Sequence, residues 1–259
     1  MMRPTPPAHV GPGDYPPAAV TVDVVALTIE EGELKVLLLR RGEEPYQGWH
    51  ALPDEFVHPD EDLPESATRT LAEVTGQAHA TGHLEQLRSY GRPERDPRMR
   101  VVSVAYLALT PAHPQHSHDS NAHRGTWIPV ADALRSVLAF DHSTILHDGL
   151  ERARAKLEYT SLATSFLPPE FTIADLRRVY EIVWGQHLDS GNFHRKLTST
   201  PGVLVETGRT RTEGRGRPAA IYGRGPVVTL NPPIMRPETA PPRPSGSHAW
   251  PRSEPQGTV

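Results

Sequence analysis

Along residues 21–29 the chain reads TVDVVALTI, largely apolar and β-branched, and KVLLLRR follows after a Glu31-Gly32 break. Two such runs around a glycine-containing pair predict a β-hairpin. Glu43–Pro53 is a loop carrying Gly48, Trp49 and His50. In Leu63–Gly76 the period changes to helical. Ala67, Leu71 and Val74 fall on one side, Pro64 suits the first turn, and Gly76 suits the position just past the end. A short strand-like stretch precedes RMRVVSVAYLALT, a clean strand signal. A polar loop at 112–124, a strand TWIPV and a helix start VADALRSVL follow. From Asp141 helices take over, at Ser143–Tyr159, Thr172–Trp184 and a short third one at Leu188–Thr200. GVLVETG and PAAIYGR then form a second hairpin around a Gly/Arg-rich turn. Helices closed by a β-hairpin are the pattern of a winged helix-turn-helix.

Composition sharpens the limits. The 259 residues suit one or two domains. Of the 28 prolines, six lie in residues 1–20 and nine in 226–259, so both ends are expected to lack fixed structure. The expected division is a leader at 1–19, an α/β domain at 20–140, a winged helix at 141–225 and a proline-rich tail at 226–259. Cysteine is absent, which excludes a thiolate nucleophile, a disulfide and a Cys-ligated zinc site. No apolar run approaches the roughly 18 residues of a membrane helix. The start, MMRPTPPAHVGPGDYPP, lacks the apolar core of a secretory signal. A soluble, cytoplasmic protein with no membrane partner is expected.

A net charge of −4 conceals an asymmetry. Between Gln186 and Arg224 seven cations (Arg195, Lys196, Arg209, Arg211, Arg215, Arg217, Arg224) face three acids, a local +4. Phe193 and Leu197, four apart, should anchor the third helix inward, leaving Ser190, Asn192, His194, Arg195 and Lys196 outward as candidate base readers. Arg209, Arg211, Arg215 and Arg217 crowd the hairpin turn, where Gly208, Gly214 and Gly216 give a pliable wing for phosphate contacts. A solvated hairpin tip is the alternative.

Residues 52–77, LPDEFVHPDEDLPESATRTLAEVTGQ, resemble the Nudix box: Gly, five residues, Glu, seven residues, Arg-Glu-apolar-x-Glu-Glu-x-Gly. Glu61, Arg69, Leu71, Glu73 and Gly76 stand at its spacing, and Gly48-Trp49 with Leu52-Pro53 are similar to the family's approach to it. The resemblance covers about Val20–Leu138 and implies an α+β protein beginning with a Nudix-like α/β/α sandwich on a mixed sheet. In such a box, carboxylates at i, i+3 and i+4 of a helix converge on divalent cations that bridge a diphosphate and activate water. Here those positions are Thr70, Glu73 and Val74, so one carboxylate remains. The Gly-Gly before the helix is Asp54-Glu55, which opposes close approach to a phosphate. The expectation is a fold that no longer hydrolyses, with Glu61, Arg69, Thr70, Glu73 and Val74 vestigial and no cofactor required. Glu61 and Arg69 read as structural, and Glu65–Arg69–Glu73 as a helix-stabilising ladder. The alternative is a Mg²⁺-dependent hydrolase of nucleoside diphosphate derivatives with ligands moved to Asp54, Glu55, Asp60 or Glu61.

In GRPERDPRMR, four arginines flank the Asp96-Pro97 turn before a strand. Arginine forks suit phosphate oxygens, so Arg92, Arg95 and Arg98, with Glu73, are candidate effector contacts. A solvated loop in which Asp96 pairs a neighbouring arginine is the alternative. His113, His116, His118 and His123 share their loop with Asp119 alone and lack rigid spacing, so no metal site is expected there.

The Arg95-Asp96-Pro97-Arg98 string, FDHSTIL (140–146), Leu157-Glu158-Tyr159-Thr160, LPPEFTIADLRRVYE (167–181) and NFHRKL (192–197) together look like the Nudix-related transcriptional regulators. That resemblance extends over about Val20–Arg224. It implies a homodimer on a double-stranded DNA operator and an ADP-ribose-like or other nucleotide effector that is bound but not cleaved. It also implies, in most members, repression of genes of NAD or sugar metabolism.

Overall fold

The computed structural model describes residues 16–76, 82–112, 125–212 and 218–237. The expected strands and helices form with small shifts of their ends, apart from the helix at VADALRSVL. Strand β1 (Ala19–Glu30) turns into β2 (Glu33–Arg40) through Glu31 and Gly32, both at positive φ (55° and 80°). Two consecutive left-handed residues make the tight turn whose twist matches an antiparallel pair. The sheet order is β3-β2-β1-β6-β5, with β3 at His50–Ala51, β5 at His83–Tyr90 and β6 at Val101–Leu109. β4 (Asp54–Phe56) joins β1, and β7 (Thr126–Pro129) joins β2. β1 runs parallel to β6 and antiparallel to β2 and β4, so the sheet is mixed.

Alternation in β1 splits the core into two layers. Val22, Val24 and Ala26 pack against Ala67 and Leu71 of α1 (Leu63–Thr75). Val25 and Leu27 belong to the layer containing Ile145, Leu146 and Leu150 of α3 (His142–Tyr159). Gly149 permits that second contact, because a Cβ there would stand 2.8 Å from a Val25 methyl. α1 opens with a capping box between Asp62 and Glu65 and closes on Gly76 at φ 69°. The helix expected at VADALRSVL is only one turn, α2 (Val130–Ala133), which starts at Pro129 without a side-chain cap and leaves Leu134 and Val137 exposed.

The division expected at 140/141 falls at the start of α3. This helix packs on β1, β5 and β6 and also on α4 (Ile173–Trp184), so it belongs to both units. Beyond it come a 3-10 turn (Ser161–Phe166), β8 (Glu170–Phe171), α4, α5 (Ser190–Thr198), β9 (Leu204–Arg211) and β10 (Ala219–Arg224). The three strands pair as β8-β10-β9. This is a helix-turn-helix with a wing. Its centre is aromatic: Tyr180 meets Trp184 and Phe193 edge-on, at ring separations of 4.9 and 5.2 Å. The α4–α5 turn is fixed by Glu181, which accepts from the Leu188 N–H and from Arg177.

Residues 226–237 overturn the expectation that everything after Pro226 lacks structure. The Ser161 N–H donates to Val228 O, Leu230 N–H to Tyr159 O and Ile234 N–H to Glu158 O. Leu230 and Ile234 are buried in the main core. The proline content masked two apolar anchors, and prolines without N–H groups are tolerated at the edge of a packed segment. Arg215, Arg217, the loop with His113, His116, His118, His123 and Asp119, and the tail after residue 237 lie outside the described residues. Among the described residues no helix is long and apolar enough to cross a membrane.

Leu230→Ala should lower unfolding free energy by about 2–4 kcal/mol, read by denaturant titration. An unchanged midpoint would mean that the segment adds nothing to the core.

Candidate functional site

Pairing in the first sheet places chemistry where sequence alone does not. Asp23 of β1 and Asp54 of β4 are direct cross-strand partners, as are Thr21 and Phe56. Partners on adjacent antiparallel strands share a face, so two carboxylates look into one cavity. Its walls also include Arg41, Arg95, Arg98, Phe140 and His142. The cavity, partly open to solvent, has a volume of about 90 Å³.

Arg95 organises this cavity and is buried. Its Nη2 donates to Asp23 at 3.0 Å, while its Nη2 and Nε donate to Asp141 at 2.8 and 3.1 Å. Asp23 also accepts from Ser103 of β6. Arg98 is held by Asp96, which accepts from its Nη2 at 2.7 Å and its Nε at 3.0 Å. That realises the Asp96–arginine pairing foreseen as an alternative. Phe140 sits at φ 53°, a conformation that a bulky side chain rarely adopts. Its ring meets Tyr46 edge-on, with the Arg41 guanidinium 4.6 Å and that of Arg98 5.6 Å from its centre.

Asp54 is the group with unusual acidity. Burial, the largest cause, pushes its carboxyl up to about 6; His142 and Arg41 oppose the rise, while Asp23 and Glu55 add to it. Asp23, Asp54 and His142 also bring potential ligand atoms within 4.8 Å of one another. The chemistry of this trio fits a cation poorly. The Leu52 N–H donates to His142 Nδ1, so the neutral ring carries its proton on Nε2, the atom facing Asp23. One Asp23 oxygen is already shared by Arg95 and Ser103. Asp54 and the second Asp23 oxygen are left as uncommitted donors, fewer than the roughly six or more oxygens a calcium ion takes.

Glu61, Arg69, Thr70, Glu73 and Val74 of the Nudix-like segment lie outside this cavity, whereas Asp54 and Glu55, at its Gly-Gly position, line it. Arg69 binds Glu61 at 2.7 Å and Glu73 at 3.4 Å, and hydrogen bonds from Arg69 hold the Glu61 carboxyl down at about 2. Glu65 turns back to the Asp62 N–H, so the expected three-residue ladder forms only between Arg69 and Glu73. Thr70 is buried with its hydroxyl donating to Ser66 O, and Val74 packs on the α1 layer of the core. Of the candidate effector contacts, Arg95 and Arg98 line the cavity; Arg92 and Glu73 do not. Nor does the fold gather Asp54, Glu55, Asp60 and Glu61 into one ligand set, because Glu61 stays with Arg69.

In the second unit, α5 buries Phe193 and Leu197 and exposes Ser190, Asn192, His194 and Arg195, with Lys196 half-buried. Asp189 caps the helix by accepting from the Asn192 N–H, and Asn192 in turn accepts from Arg195. The two wing arginines within the described residues are tethered: Arg209 pairs with Glu170, and Arg211 pairs with Asp175 at 2.6 Å.

A Nudix-type sandwich joined through a shared helix to a winged helix defines a sensor coupled to a nucleic-acid-binding module. The NUDIX domain family matches residues 17–149, and the NrtR DNA-binding winged helix domain family matches 163–223. The chain belongs to the NrtR family of Nudix-related transcriptional regulators. It is 36% identical over 211 residues to the ADPR responsive transcriptional repressor NtrR of Acinetobacter baylyi, across 81% of this chain and 83% of that protein. The crystal structure of Shewanella oneidensis NrtR complexed with a 27mer DNA is 34% identical with a TM-score of 0.73, covering 82% of this chain and 97% of that one. An ADP-ribose pyrophosphatase of Methanocaldococcus jannaschii is 32% identical over 130 residues, 50% of this chain and 72% of that protein.

The missed residues were Asp23, Arg41, Phe140, Asp141 and His142. One signal was present, an aspartate inside the apolar strand VTVDVVAL.

Asp54 carries a pH prediction. Its folded value, about 6, lies above the ordinary 3.8, so the fold favours the protonated form. That contribution is full below about pH 4 and is lost as pH rises through about 6. Asp54→Asn, which cannot ionise, should therefore gain stability relative to the parent between pH 4 and 7, on the order of 2–3 kcal/mol. Denaturation at several pH values measures it, and parallel curves would refute the assignment.

Proposed function

We propose that the protein is a DNA-binding transcriptional repressor, acting in the cytoplasm as a homodimer, whose Nudix domain binds ADP-ribose or a related nucleotide without cleaving it. The observation that carries this reading is the separation of the helical positions of the box from the cavity. The positions where hydrolysis needs carboxylates are filled by a buried threonine and a packed valine, while a polar cavity is built from other residues. The cavity, of about 90 Å³, holds part of a nucleotide, whose remainder extends outward. The wall holds three arginines (Arg41, Arg95, Arg98) against four carboxylates (Asp23, Asp54, Glu55, Asp96), −1 when all are ionised and 0 when Asp54 is protonated. Phosphates therefore belong at the outer Arg41 and Arg98, and hydroxyl groups of a sugar at Asp54, which accepts when ionised.

Similarity to an ADP-ribose pyrophosphatase supports the hydrolase as a second reading. Calorimetry with ADP-ribose should give saturable heat, and incubation with Mg²⁺ should release no AMP. Robust Mg²⁺-dependent cleavage would sink the non-hydrolytic reading; absent heat would remove this effector class.

On DNA, α5 supplies base contacts and the wing supplies phosphate contacts. The double substitution Arg215→Ala with Arg217→Ala should weaken binding to every sequence and reduce the salt slope by about 2. Arg195→Ala should instead narrow the gap between operator and scrambled DNA, by about 1–3 kcal/mol where it reads a base. Gel shifts over a salt series measure both. An unchanged slope excludes the wing, and retained discrimination excludes Arg195 as a reader.

A further inference from the structure

A second cleft, of about 260 Å³, lies where the β1–β2 hairpin of the sensor meets the winged helix. Its floor is apolar: Ile29 of β1, Leu167, and Val179 and Ile182 of α4. Ile29, Leu167 and Ile182 pack on the core but are only partly covered. At the rim stand Arg178 of α4 and the Arg211–Asp175 ion pair that ties β9 to α4. Arg178 is exposed and, among the described residues, enters no hydrogen bond or ion pair. Its guanidinium reaches over the hairpin turn, where a Cβ on Gly32 would come within 3.2 Å of Nη2. Gly32 thus serves both the turn and the close approach of a cation from the other unit.

This chemistry differs from that of the Asp23–Asp54 cavity, whose wall is polar and whose central Arg95 is filled by aspartates. Partly covered aliphatic side chains beneath an uncommitted guanidinium are complementary to an apolar body with an anionic end. We propose that this cleft binds a small amphipathic anion, a ring or short chain ending in a carboxylate or sulfonate, with the anion on Arg178 and the apolar part on Ile29 and Ile182. The walls come from two units, the hairpin on one side and α4 with β9 on the other. A ligand seated there favours whichever domain arrangement keeps those walls at this separation. It therefore acts on the DNA-binding unit independently of a nucleotide in the other cavity. The effect on DNA rests on the repressor reading; binding in the cleft does not.

Anilinonaphthalene sulfonate, an apolar ring system with one sulfonate, is a suitable probe for the full-length protein. Fluorescence titration should show saturable binding of one dye per chain. Arg178→Glu should weaken it at least about tenfold, equivalent to ~1.4 kcal/mol, and Arg178→Lys should retain most of it. Thermal unfolding of the exposed-site variants should match the parent. No saturable binding, or equal affinity in Arg178→Glu, overturns the site. Saturating dye should also change operator affinity by about threefold or more in the parent and not in Arg178→Glu. Operator binding that ignores the dye overturns the coupling, whereas absence of any operator binding overturns the repressor reading and leaves the dye titration to judge the cleft.

Discussion

The buried ion group of Arg95 with Asp23 and Asp141 holds four parts of the chain in register. Asp23 comes from β1, Arg95 from the loop between β5 and β6, and Asp141 from the residue before α3. Ser103 adds β6 by donating to Asp23. Such a group stabilises little in net terms, because taking three charges out of water costs nearly as much as their attraction returns. Breaking it is another matter, since a lost arginine strands two carboxylates, one of them fully buried. Burial is the main reason for the raised pKa of Asp54, and the negative charge of Asp23 adds to it. Already facing Asp23 across the strand pair, it has no cation to itself, and its proton is retained to higher pH.

From that constraint follows the shape of the cavity. Arg95 cannot serve as a mobile phosphate clamp, because its fork is filled by aspartates. It fixes instead the loop that carries Asp96 and Arg98, and Asp96 then fixes Arg98. Phe140, forced into a left-handed conformation just before Asp141, receives Arg41 and Arg98. The strain at Phe140 is the local consequence of aiming Asp141 and His142 back at β1, the arrangement in which Leu52 also donates to His142.

Much of this architecture was legible because periodicity reports burial directly. The β1–β2 hairpin, α1 with Pro64 in its first turn and Gly76 at its end, and the inward Phe193 and Leu197 of α5 all follow from one-dimensional spacing. The cavity did not, because its members are 22 to 118 residues away from Asp23 in sequence (Arg41 to Asp141) and meet only through strand pairing. Arginine clusters were the least informative signal. Arg95, Arg209 and Arg211 read as ligand contacts, yet each has a carboxylate partner within the fold. The 226–237 segment escaped notice for a different reason, since composition averages over a stretch in which two apolar residues decide its placement.

The helix α3 joins the two ends of the molecule mechanically. At its start Asp141 is locked to Arg95, and near its middle Arg154 is bound twice to α4, its carbonyl accepting from Trp184 Nε1 and its Nε donating to Val183 O. A helix pinned at both points transmits displacement instead of absorbing it. An effector that moves Asp141 must either carry α3 and with it α4, or break the Arg95 pair and expose a buried charge imbalance. A ligand in the Asp23–Asp54 cavity that leaves Asp141 in place has no such lever on α4, however tightly it binds, because only a difference in affinity between two arrangements shifts their balance. The structural route from this cavity to the winged helix therefore starts where Phe140 and His142, at the N-terminus of α3, line its wall.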